Sequence, residues 1–228
     1  MPEAPNAVRD LAADPTSRKR FLRQAGGGGV AASLAVFIAA CGGDDKSASG
    51  SKSQSTPTST PMASASGTEQ FGKGDLGIAN YALTLEYLET QFYNDAAASG
   101  MLKGKILETA KLFGGEEQEH VDALIALIKK AGGKPADKPK AKFPLDSQKS
   151  ILDLAATVEN LGANAYLGQA GNIKDKEILA AALSIHSVEA RHAAVLNLAT
   201  KAPVSSGAFA KPASAAEVLK AVKPFLAS

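Results

Sequence analysis

The sequence predicts an all-α fold: a four-helix bundle with one long crossover between its second and third helices, followed by a short C-terminal helix. Three observations carry that reading. One helical hairpin occurs twice in the chain, each copy closes on a Glu-x-x-His tetrad, and the connections between helices run short, long, short.

The repeat constrains the fold before any motif does. Ala82 to Tyr93 lies over Ala155 to Tyr166, pairing Thr84 with Thr157, Glu86 with Glu159, Leu88 with Leu161 and Tyr93 with Tyr166. From Glu86 to Glu117 is 31 residues, and from Glu159 to Glu189 is 30. Glu117-Gln118-Glu119-His120 and Glu189-Ala190-Arg191-His192 are the two tetrads.

Each helix follows from its own signals. The first runs from about Asp75, read as its N-cap, to about Ala98, where Ser99-Gly100 turns the chain. The second runs from about Leu102 to Ala131 and is stopped by Gly132-Gly133 and Pro135. A Pro- and Lys-rich passage reaches Pro144, and Asp146 or Ser147 opens a third helix that ends near Ala170. Gly171-Asn172 turns into the fourth, from about Asp175 to Thr200. Ser214-Ala215-Ala216-Glu217 has the form of a capping box and starts a covering helix towards Phe225-Leu226.

Connection lengths set the topology. Short loops after the first and third helices force antiparallel neighbours. About fourteen extended residues between the second and third cover roughly 45 Å, more than the roughly 35 Å length of such helices. That is enough for one crossover along the bundle, which brings the four ligand-bearing faces together midway.

Residues three apart share a helix face, so each Glu-x-x-His aims a carboxylate and an imidazole at one point. Phe113, Glu117, His120, Leu124 and Leu127 form one seam, and Ile185, Glu189, His192, Leu196 and Ala199 repeat its steps. Charge in an apolar seam needs a compensator, and a divalent cation fits. Glu86, Glu117, His120, Glu159, Glu189 and His192 are therefore the expected ligands of two ions. Carboxylate and imidazole donors suit two Fe ions, or Mn, rather than a thiophilic metal.

Four further residues flank this set. Tyr93 and Tyr166 lie two turns beyond their glutamates, where a phenol can hydrogen-bond a ligand carboxylate or serve simply as a core aromatic. Glu89 is the rival to Glu86 on the first helix, but its repeat counterpart is Gly162, which ranks it behind the ligands or in solvent. His186 is rotated roughly 120° from His192, away from the ligand face. Glu116 and Glu119 fall off the seam and are expected in solvent. Gly114-Gly115 costs a helix about 2 kcal/mol relative to alanine and implies a kink, a close approach or a break.

The N-terminal quarter speaks to location. Ser17-Arg18-Lys19-Arg20-Phe21-Leu22-Arg23 precedes an apolar run, Val30 to Ala40, too short for a stop-transfer helix. The basic stretch resembles a twin-arginine signal peptide with Lys19 in place of the second arginine, and the general export route stays open beside it. Ile38-Ala39-Ala40-Cys41 resembles a bacterial lipobox, and Cys41 is the chain's single cysteine. Its lipidation would make the protein a lipoprotein, anchored to the outer face of the cytoplasmic membrane rather than spanning it.

The expected organisation is an export signal over 1–41, a Ser/Thr/Gly/Pro tether over 42–70, a helical bundle over 71–204 and a C-terminal covering helix over 205–228. Residues 1–41 hold five of the 25 basic and three of the 23 acidic residues, so the remainder carries 20 of each and is neutral. No basic aromatic patch points to nucleic acid.

Residues 75–200 resemble the ferritin-like domain family, which includes exported bacterial members and desiccation-related proteins. The resemblance is carried by Ala82-Leu83-Thr84-Leu85-Glu86-Tyr87-Leu88-Glu89, by Glu117-x-x-His120-Val121-Asp122-Ala123-Leu124, by Ala165-Tyr166-Leu167-Gly168 and by Val188-Glu189-Ala190-Arg191-His192-Ala193-Ala194. It implies a di-iron or related di-metal centre in which some glutamates bridge both ions. Several reactions share this fold. One expectation is an oxidoreductase of the ferroxidase or peroxide-reducing type, oxidising Fe(II) while reducing oxygen or peroxide. The other is a non-catalytic envelope or stress bundle in which metal is structural or absent. Expected partners are metal ions, oxygen or peroxide and the membrane, with a homodimer left open.

Overall fold

A computed structural model describes residues 67–227. Cys41, the signal and most of the tether lie outside the described residues. Five α-helices make up the fold: α1 (Gly74–Ala98), α2 (Gly104–Lys130), α3 (Gln148–Ala170), α4 (Lys176–Ala199) and α5 (Ala215–Val222). There is no β-strand among the described residues, and no helix among them is long and apolar enough to cross a membrane. Thr68 is already buried ahead of α1, and Glu69–Phe71 form a single 3-10 turn.

Helix ends follow local chemistry, with one correction. Lys73, not Asp75, is the N-cap of α1, and it offers no side-chain cap. Asp75 instead reaches across the bundle end, accepting from the backbone N–H groups of Lys174 (3.0 Å) and Asp175 (2.6 Å). Asp175 then caps α4, accepting from Glu177 at 2.8 Å and Ile178 at 3.0 Å. Ser147 is the residue that opens α3, in a capping box with Ser150. Ser214 and Glu217 form the box of α5. Lys129 and Lys130 close α2, where a positive charge suits the helix dipole.

α1 packs along α2, and α3 along α4, as two antiparallel hairpins. Lys130 at the end of α2 meets Glu177 at the start of α4, 2.6 Å apart, so those helices also run antiparallel. The crossover between hairpins is fastened by buried and half-buried side chains. Asn80 donates to the carbonyls of Phe71 (3.3 Å) and Lys134 (3.1 Å) and accepts from the N–H of Ala136 (2.8 Å). Gln91 donates to the Ala141 carbonyl at 2.8 Å, and Phe143 lies edge-on to Phe92 with centroids 5.3 Å apart.

α5 buries Ala215, Val218 and Val222 and packs on α3. The tail beyond it pairs with the crossover through the Lys142 N–H to the Phe225 carbonyl, 2.8 Å, and the Ala227 N–H to the Lys140 carbonyl, 2.9 Å. One apolar cluster, with Ile78, Leu83, Leu124, Ile128, Ile178 and Ile185, fills the end where α1 begins. Another, with Phe92, Leu102, Phe113, Ile151, Leu196 and Val218, fills the other. Each fully buried Leu, Ile or Phe in them contributes about 1.5–3 kcal/mol. Between them lies a layer that is not apolar at all.

Candidate metal centre

Glu86, Glu117, Glu159 and Glu189, one from each bundle helix, are all 0% exposed, with His120 and His192 beside them at 9% and 3%. Their donor atoms fall into two groups: Glu86, Glu117, His120 and Glu189, and then Glu117, Glu159, Glu189 and His192. Within each group one donor atom per residue lies within 4.8 Å of the others, so each group could hold a metal ion. Two ligand atoms on one divalent ion stand up to about 4.4 Å apart, since each bond is about 2.0–2.2 Å. Glu117 and Glu189 belong to both groups. The structure thus brings all six residues expected as ligands into one layer.

Both imidazoles present Nδ1 to the carboxylates. His120 Nδ1 lies 2.9 Å from Glu117 Oε2, 3.2 Å from Glu86 Oε2 and 3.3 Å from Glu189 Oε1. His192 Nδ1 lies 2.9 Å from Glu117 Oε1 and 3.3 Å from Glu159 Oε2 but is hydrogen-bonded to neither. Glu117 Oε1, Glu159 Oε2 and both carboxylate oxygens of Glu189 are likewise buried without a hydrogen-bond partner. Buried polar atoms are nearly always satisfied, so this concentration on one point marks where a cation would fit. An all-oxygen-and-nitrogen donor set matches hard or borderline ions such as iron and manganese.

Ionisation equilibria are shifted accordingly. Burial, with the negative charge of Glu117 behind it, raises Glu86 to about 7. Burial and the neighbouring carboxylates hold Glu189 and Glu89 well above the usual carboxylate range. Burial opposes charge on the imidazoles, but the carboxylates outweigh it, raising His120 to about 12 and His192 to about 11.

The tyrosines bond across the repeat. Tyr166 donates to Glu86 Oε1, and Tyr93 donates to Glu159 Oε1, so each phenol holds the glutamate of the other hairpin. Seven residues put a tyrosine about 10.5 Å along the helix from its own glutamate, too far for a direct bond. The crossed pairs also show that α1 and α3 are antiparallel.

Close approach explains the Gly114 question. α2 is continuous through Gly114-Gly115, and a Cβ at Gly114 would sit 2.9 Å from the Cβ of Tyr93. Glycine there lets α2 press against the residue that holds Glu159.

Glu116 stands differently from expectation, and Glu89 takes the first of its two expected places, behind the ligands. Glu116 is not simply in solvent: its Oε2 lies 2.6 Å from His192 Nε2, fixing the ring from behind while Nδ1 faces the carboxylates. Phe113 stacks on the same ring with centroids 3.8 Å apart. Glu119 is exposed, as its phase implies. Glu89 is not in solvent either, being 3% exposed with Oε2 unpartnered. His186 is turned from the centre and has Nδ1 3.0 Å from the Ala163 carbonyl, tying α4 to α3. Between α2 and α4 a groove of about 380 Å³, lined by Glu116, Glu119, His120, Arg191 and His192 among others, opens over the two imidazoles.

Helix order, crossover and a carboxylate–histidine layer together define a ferritin-like bundle. The chain belongs to the ferritin-like domain family, whose profile matches residues 74–202. Among solved structures, a conserved hypothetical protein, rv2844, from Mycobacterium tuberculosis is similar in fold, with a TM-score of 0.51 at 17% identity over 59% of this chain and 96% of that one. No curated protein matches the sequence.

Proposed function

We propose that this protein binds two metal ions, iron or manganese, between its four bundle helices, and that with iron it oxidises Fe(II) at the expense of oxygen or peroxide. The observation that carries the reading is the pair of four-residue donor groups sharing Glu117 and Glu189. Two ions bound side by side supply two electrons at adjacent centres, enough to take oxygen to the peroxide level.

The chain's own residues have distinct tasks in this reading. Glu117 and Glu189, common to both donor groups, would serve both ions, while Glu86 with His120 and Glu159 with His192 would each serve one. Tyr166 and Tyr93 hold the outer oxygens of Glu86 and Glu159, so those carboxylates keep their aim. Glu116 and Phe113 hold the His192 ring in position. The groove over His120 and His192 gives ions and oxygen a way in.

Anaerobic Fe(II) loading of the full chain should reach two ions per chain, and mixing with oxygen should oxidise them faster than Fe(II) in buffer, followed by stopped-flow absorbance. Loading without faster oxidation would leave the bundle a non-catalytic metal protein. Absence of loading would remove the metal reading itself.

We further propose that residues 1–41 direct export and that the lipid on Cys41 holds the domain at the outer face of the cytoplasmic membrane. The support is the basic and apolar succession ending in the lipobox-like Ile38-Ala39-Ala40-Cys41. Cys41→Ser should move the protein from the membrane to the soluble exported fraction. Unchanged membrane association in a fractionation of cells would refute the anchor.

A further inference from the structure

Glu89 lies one turn after Glu86 on α1, on the side turned to the carboxylate layer. Its side chain is buried, and Oε2 has no hydrogen-bond partner. The charges that act on it most are those of Glu189, Glu86, Glu117 and Glu159, all of them carboxylates. A carboxyl group left without a hydrogen-bond partner among other buried carboxylates is costly, and a leucine would fill a similar volume at less cost.

Room for that carboxylate comes from α3. A Cβ on Gly162 would stand 2.8 Å from Glu89 Oε1 and 3.0 Å from Glu189 Oε2. The missing side chain thus lets Glu89 come up against one of the two shared carboxylates. Gly162 is also the repeat counterpart of Glu89, so the two halves match at all six expected ligands and differ here. One half supplies a carboxylate, and the other supplies the space for it.

Charge counting says when such a group is needed. Four carboxylates neutralise two divalent ions, and the two neutral imidazoles add nothing. Two trivalent ions leave two positive charges uncompensated in the protein interior, where uncompensated charge is expensive. A fifth carboxylate removes one of them.

We propose that Glu89 is a fifth carboxylate of the centre that engages the ion pair in its trivalent state, beside Glu189, and leaves the divalent pair to the six other residues. This rests on the two-metal reading above. Glu89 therefore makes the centre selective for ion charge, and it is idle in the divalent form.

Redox-inert ions separate the two charge states without turnover. The full chain and its Glu89→Gln variant are titrated with Mn(II), and separately with Ga(III) supplied as a citrate complex, with bound metal measured after desalting. The variant should keep two Mn(II) with affinity within about threefold, and its Ga(III) affinity should fall by about tenfold or more, the scale of a lost supporting ligand. Retained Mn(II) loading also shows that the variant is folded. Equal losses for both ions would overturn the proposal by making Glu89 an ordinary part of the site, and no loss for either would overturn it by making Glu89 a bystander. Wild-type protein that takes Mn(II) but not Ga(III) would overturn it too. Wild-type protein that takes neither would instead bring down the two-metal reading.

Discussion

Glu117→Gln combined with Glu189→Gln should weaken loading of both ions by at least about 100-fold. The two residues are the pair common to both donor groups, so their loss disarms both ions at once. Loss of a supporting group alone costs about 10–100-fold in metal affinity, and these are expected as direct ligands. An amide keeps the volume and removes the charge. Glu159→Gln alone touches one group and should reduce the stoichiometry from two ions towards one. Elemental analysis after desalting measures this expectation. A double variant that still loads two ions would contradict the bridging assignment.

Metal binding should release protons, and the stability of the protein should change its pH dependence when metal is bound. His120 and His192, at about 12 and 11, are protonated in the metal-free protein at neutral pH, and each must give up a proton to ligate. At least two protons per chain are therefore expected at pH 7, with a further share from Glu86. Calorimetric titration in buffers of different ionisation heats measures that number, and a value near zero would contradict imidazole ligation.

The sign for the metal-free fold follows from raised values. Glu86 stabilises it most below 4.5, its ordinary value, and that contribution is lost as pH rises through about 7. The imidazole contributions are full below 6.5, shrink as pH rises above it and are gone once pH passes about 11 to 12. Metal-free stability should thus fall between pH 4.5 and 7, while the affinity for metal rises. At a thousandfold excess over Kd, each bound ion adds about 4 kcal/mol. For a domain of this size that is about 8–16 °C in Tm.

Helix phase is a local property, which is why the ligand layer was legible in the sequence. Glu117 and His120 share a face whatever they pack against, and the repeat supplied Glu86 and Glu159 through their common frame. Capping was legible where it is local, at Ser147 and Ser214, and failed at Asp75, whose partners lie about a hundred residues away in the α3–α4 turn. Glu116 sits next to Glu117 yet off the seam, and its bond to His192 depends on how α2 and α4 cross. The burial of Glu89 depends on Gly162 in a different hairpin. Crossing of the tyrosines was hidden for the same reason, since the repeat shows which residues correspond and not which of them meet.

The shared carboxylates have a consequence for the order of events during synthesis. The first hairpin leaves the ribosome with Glu86, Glu117 and His120, but its donor group waits for Glu189 on the last bundle helix. The second group needs Glu117 from a helix made much earlier. Neither ion site is complete on a nascent chain until α4 has emerged and the hairpins have docked. On the two-metal reading, the chain would take up its ions only once the fold that holds them exists.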